Sequence, residues 1–145
     1  MVERLHRALV REAEVAESSG AASTGLIGGN SFGYAYARAR DGVDLAEVEH
    51  ALVAQVDRLA TEGPSPTELR RAKAQYERHW LHELSRVDSR ADALGEYATL
   101  EHDPDLVNTR MAEVDAVEPG DVATAVAEWF GSERRATLVY RKASA

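Results

Sequence analysis

Ser31-Phe32-Gly33-Tyr34-Ala35-Tyr36-Ala37, preceded by Gly28-Gly29-Asn30, places Phe32, Tyr34 and Tyr36 on one side of a two-residue alternation. Gly-Gly-Asn is turn chemistry, and the whole run from Ala13 to Arg40 is rich in small, β-branched and aromatic residues, so it reads as a β-hairpin. The Gly-rich turn is not a phosphate loop: no Lys-Ser/Thr pair follows it, and the next segment reads as a strand rather than a helix. On the amino side, Leu5, Ala8, Leu9 and Glu12 fit a short amphipathic helix that starts without an evident cap.

Beyond Asp41-Gly42 the period changes to that of helices. Asp44 with Glu47 is a capping-box pattern, and Leu45, Val48, Leu52, Val56, Leu59 and Ala60 form one stripe ending near Gly63-Pro64. Ser65-Pro66-Thr67-Glu68 repeats the start signal, with Ser as cap, Pro at the first helical position and Glu three residues past the cap. That helix runs through Leu69, Ala72, Tyr76 and Trp80 to about Arg86. A further helix begins at Asp88 or Ser89, another at Asp103-Pro104 with Leu106, Val107, Met111 and Val114, and a last one at Glu118-Pro119 with Val122, Val126 and Trp129. After Gly131, Ala136-Thr137-Leu138-Val139-Tyr140 reads as a closing strand. Helix, hairpin, five helices and a strand predict an α+β fold, with an antiparallel sheet carrying about six helices on one face. Three strands are few for so many helices, so an open sheet edge is expected, and self-association through it.

The 145 residues suit one domain, and 44% hydrophobic content builds an ordinary core. A net charge of −8 argues against nucleic acid and anionic membranes, which select clustered Lys and Arg. Without cysteine there is no disulfide, thiolate metal ligand or thiol nucleophile, which leaves His, carboxylate, Ser or Tyr chemistry. No apolar run approaches the roughly 18 residues that span a bilayer, and the first residues lack a signal peptide's apolar stretch, so a soluble, cytoplasmic protein is expected.

Two sets of residues stand out chemically. Arg90 and Tyr97 are seven apart, close to two helical turns, so one helix would carry both on one face about 10 Å apart along its axis. A cation and a phenol facing the same way can hydrogen-bond an extended peptide or a carbonyl under attack, but cannot activate water. The structural alternative is an exposed Arg and a half-buried Tyr on an amphipathic helix. His79, His82 and Glu83 lie on nearly one face of the preceding helix, and zinc could touch two of the three. The order departs from H-E-x-x-H and H-x-x-E-H, where the two His are four apart and the Glu is free as base, so a solvated polar face is the competing reading. Neither a G-x-S-x-G elbow nor an organised carboxylate pair is present.

Several landmarks in order resemble the insulinase and pitrilysin type of zinc metallopeptidase. They are Arg4-Leu5-His6-Arg7-Ala8-Leu9-Val10-Arg11-Glu12, the hairpin Ser31 to Ala37, Gly42-Val43-Asp44-Leu45-Ala46-Glu47-Val48-Glu49, and Gly63 to Lys73. The Arg90/Tyr97 helix, Glu118-Pro119-Gly120-Asp121-Val122 and Ala136 to Tyr140 complete the set. The resemblance implies the second half of a non-catalytic unit, with the first half before Met1, so residues 1–145 would be one domain of a larger peptidase. No H-x-x-E-H occurs in this sequence. It therefore implies no catalytic residue and no cofactor here, with zinc and general base in a catalytic unit of the same or another chain. Arg90 and Tyr97 would contact the peptide substrate. Two other readings stand beside it: an interaction or structural module without proteolytic role, and an independent metallohydrolase using His79, His82 and Glu83.

Overall fold

The computed structural model describes residues 1–24 and 31–141; the Gly28-Gly29-Asn30 turn lies outside them. The chain opens with α1 (Val2–Leu5), which has no side-chain cap, and winds on directly into a π-helical segment, His6–Glu12. The wider winding shows in the bond from the Ala13 N–H to the Ala8 carbonyl, five residues back, at 2.9 Å. Glu14 then takes a left-handed conformation (φ 55°) and turns the chain into β1 (Ala16–Thr24). β1 pairs antiparallel with β2 (Phe32–Ala39), Gly20 opposite Tyr36 and Ala22 opposite Tyr34, with an irregularity between Ala16 and Ser18. Arg40 ties this region together: its guanidinium donates to the carbonyls of Ala16 and Val10, both at 3.3 Å.

The core consists of Leu5, Leu9, Val15, Ala16 and Val48, with Ala21, Ala35, Ala37 and Ala39 packed against it. Thus the small-residue side of the hairpin turns inward, where short side chains let helices approach the pleat, and Phe32, Tyr34 and Tyr36 turn outward. Gly33 belongs to the inward side: a Cβ there would collide with the Phe130 ring. α2 (Leu45–Glu62) starts where the Asp44 carboxylate accepts the Ala46 N–H at 3.1 Å, and it buries Val48, Val56 and Leu59. These residues, with 124–145, form one compact unit; Gly63–Ala123 form a second.

The second unit begins at Gly63, which is left-handed (φ 69°) and ends α2. α3 (Pro66–Ser85) follows with a complete capping box: Ser65 Oγ accepts the Glu68 N–H at 3.2 Å, and the Glu68 carboxylate accepts the Ser65 N–H at 2.8 Å. α4 (Val87–Glu96) continues as a π-helical segment, Tyr97–Glu101, and α5 (Leu106–Ala116) lies antiparallel enough to α3 for Lys73 Nζ to reach the Asp115 carbonyl at 2.6 Å. α6 (Pro119–Trp129) is started by Asp121, whose carboxylate accepts the Glu118 N–H at 2.8 Å. No side chain of α3, α4 or α5 is buried.

The α+β class stands, with six α-helices and an antiparallel hairpin among the described residues. α1, its π-helical extension and α2 are the helices that lie against the strands, while α3, α4 and α5 belong to the second unit. The closing strand is a correction. Among the described residues the sheet has two strands, and Ala136 to Tyr140 forms no ladder. Its β-branched and aromatic composition suits a pleat, but a strand also needs a partner backbone; Leu138 and Tyr140 are exposed instead.

Candidate functional site

Aromatic side chains meet where α3 faces the turn that follows α4. Tyr76 and Trp80 lie one turn apart on α3, with near-parallel rings (15°) and centroids 6.4 Å apart. Trp80 in turn meets Tyr97 edge-on, at 6.4 Å and 70°. Tyr97 is the first residue past α4, where the winding widens; its carbonyl accepts the N–H groups of both His102 and Asp103. Thr99 Oγ1 bonds the Gly95 carbonyl at 2.7 Å beside this turn, and His102 ends it in a left-handed conformation. Short π-helical turns of this kind sacrifice backbone geometry to re-aim side chains and are frequent at functional sites.

Arg110 reaches over from α5. Its Nε donates to the Tyr76 hydroxyl at 3.3 Å and its Nη1 to the Glu113 carboxylate at 3.1 Å. The bond to Tyr76, first among the causes, holds the guanidinium firmly protonated. The Tyr97 phenol is pushed above its ordinary range, mainly by partial burial; the Arg110 charge opposes this, and Tyr76, Glu96 and Glu113 reinforce it. At neutral pH Tyr97 therefore keeps its proton and acts as a hydrogen-bond donor.

Arg90 sits on the exposed side of α4, and its Nε donates to the Leu84 carbonyl at 2.9 Å, in the last turn of α3. A cation there offsets the negative end of that helix. Nearby, Arg86 grips the Asp88 carboxylate at 2.8 Å, which holds Asp88 below the usual carboxylate range. Arg90 and Tyr97 thus lie on one continuous helical run but have different partners: Arg90 a backbone carbonyl, Tyr97 the Trp80 ring. The exposure of Arg90 and half-burial of Tyr97 are what the structural alternative also predicts.

Among the described residues, no three His, Asp or Glu side chains come together in a way that could hold an ion, and His79, His82 and Glu83 are not brought into such a group. No helix among the described residues is long and apolar enough to cross a membrane.

The similarity of the whole fold to solved structures is extensive. The inactive peptidase domain of a proposed zinc protease from Bordetella parapertussis superposes with a TM-score of 0.80 at 21% identity, over 98% of this chain and 76% of that one. This chain has the fold of a zinc-protease peptidase domain. A proposed zinc protease from Bordetella pertussis Tohama I gives a TM-score of 0.76 at 21% identity, over 92% of this chain and 72% of that chain. The periplasmic protease PqqL from Escherichia coli gives 0.65 at 16% identity, over 88% of this chain but 14% of PqqL. No protein-family model matches the chain, and no curated protein matches it in sequence. Within this peptidase-domain fold, Tyr76 and Trp80 had a visible sequence signal in their one-turn spacing. Arg110 had none, since its partner lies 34 residues away.

Proposed function

We propose that this chain is a non-catalytic, substrate-binding domain of an insulinase-type zinc peptidase. Arg90 and Tyr97 hold an extended peptide, and a separate unit, in the same or another chain, supplies zinc and the general base. The observation that carries the reading is Tyr97 itself: a protonated, half-exposed phenol at a π-helical turn, with its ring set against Trp80. Such a donor suits a peptide carbonyl. Arg90 can keep its Nε on the Leu84 carbonyl while its Nη groups take a second carbonyl. The fold shared with an inactive peptidase domain, together with the lack of H-x-x-E-H, supports the division of labour.

The test is turnover by the complete peptidase carrying Arg90→Ala or Tyr97→Phe. The expected result is a fall of about 10- to 100-fold in kcat/KM with each, the range below a full oxyanion donor. Unchanged turnover in both variants overturns the role. The competing reading, an interaction module without proteolytic role, is favoured by the outward aromatic row Phe32, Tyr34 and Tyr36.

A further inference from the structure

The outer face of the hairpin combines three properties. It is aromatic: Phe32, Tyr34 and Tyr36 are 57%, 45% and 52% exposed, and the Phe32 and Tyr34 rings lie 6.1 Å apart. It is close to neutral: the register places Ser18, Gly20, Ala22 and Thr24 of β1 on the same face as Phe32, Tyr34, Tyr36 and Arg38 of β2. Arg38, the one charge among these eight, is paired with Glu17 at 2.9 Å. It is also level on one side, because Tyr36 lies over Gly20, where a Cβ would come within 2.7 Å of the ring. Phe32 and Tyr34 remain as the raised pair, with Ala22 as the low floor opposite Tyr34.

We propose that this face binds a second copy of the chain, outer face to outer face. A two-fold axis parallel to the strands lays β2 of one copy over β1 of the other. Phe32 and Tyr34 of each copy then pack over the Ala22 and Thr24 floor of its mate, and a single surface serves both partners as an isologous contact requires. Aligned sheets pack in this way about 10 Å apart.

Area and charge support this occupant. The three aromatic side chains leave on the order of 300 Å² exposed per copy, comparable to the largest apolar patch of an ordinary monomer, which is often functional. With the β1 floor and the Arg38–Glu17 rim, two copies bury on the order of 1,000 Å², the lower limit for a stable interface. A net charge of −8 makes two identical chains repel over most of their surface, so a face with its single charge neutralised is where they meet most readily. The sequence predicts association through the sheet edge; the structure assigns it to the face.

Sedimentation equilibrium of the intact chain provides the test. The expected result is a reversible dimer with a dissociation constant on the order of 10 μM, weakened at least tenfold by Tyr34→Asp. Ala22→Lys, which leaves the aromatic row and the core untouched, should weaken it equally, with unchanged circular dichroism. Leu81→Asp, at an exposed apolar position of α3, should leave dimerisation as it was. A chain that stays monomeric at ~100 μM, or a dimer indifferent to both Tyr34→Asp and Ala22→Lys, overturns the proposal. Peptide binding through Arg90 and Tyr97 stands or falls separately, because neither face variant touches those residues.

Discussion

The two compact units of this chain are stabilised by different means. In the first, Leu5, Leu9, Val15, Ala16 and Val48 are removed from water, and the hairpin rests its small-residue side on them. In the second, no side chain of α3, α4 or α5 is buried, and order comes from caps, a half-buried aromatic row and hydrogen bonds between helices. Burial dominates folding free energy, at roughly 25 cal/mol per Å² of apolar surface, whereas each exposed cap or polar link contributes about 1 kcal/mol or less. The first unit is thus the stability reservoir. The second carries the candidate site on elements loose enough to accept a ligand, the usual place for binding surfaces.

Substitutions should reveal that difference in graded steps. Leu9→Ala, at an almost wholly buried position, is expected to cost about 3 kcal/mol by denaturant unfolding. Leu94→Ala, at an exposed position of α4, should cost less than about 1 kcal/mol. Equal losses from the two would erase the contrast between the units. Next comes Gly63→Ala, expected to cost about 2 kcal/mol, because a side chain there is strained at φ 69° and meets the Pro119 carbonyl oxygen at 2.9 Å. A loss well below 1 kcal/mol would mean the turn after α2 can rearrange.

Ser65→Ala removes one half of the α3 capping box and should lower stability by about 1 kcal/mol. Amide exchange should show faster opening concentrated in the first turn of α3. The smallest effect concerns pH. Because the folded Tyr97 phenol holds its proton more tightly than the unfolded one, whose ordinary value is 10.0, its contribution to stability is intact below pH 10 and is lost as pH rises beyond it. Tyr97→Phe should flatten the alkaline arm of a stability–pH profile; an unaltered profile would show that Tyr97 is not the group responsible.

Much of the helical scaffold was legible because local signals and final structure agree. Ser65-Pro66-Thr67-Glu68 reads as a start and forms both bonds of the box, and Gly63-Pro64 reads as a break and is one. The hairpin alternation was legible too, but not which side faces the core: alternation reports that two sides differ, and here the Ala/Gly side packs while the aromatic side is wet. The closing strand failed because its composition is local while its ladder is not. Neither π-helical segment has a compositional signature, since one inserted residue per turn leaves the apolar pattern nearly unchanged. In the site, the spacing of Arg90 and Tyr97 was visible; the partners that separate them, Leu84 on one hand and Trp80 on the other, depend on packing among three helices.

The most direct test of the accessory role is to mix the purified chain with an unstructured peptide in the presence of zinc, and to follow binding and cleavage together. Binding without hydrolysis, weakened about tenfold by Arg90→Ala with Tyr97→Phe, is the predicted result. Cleavage by the chain alone, or binding indifferent to the double substitution, would contradict it.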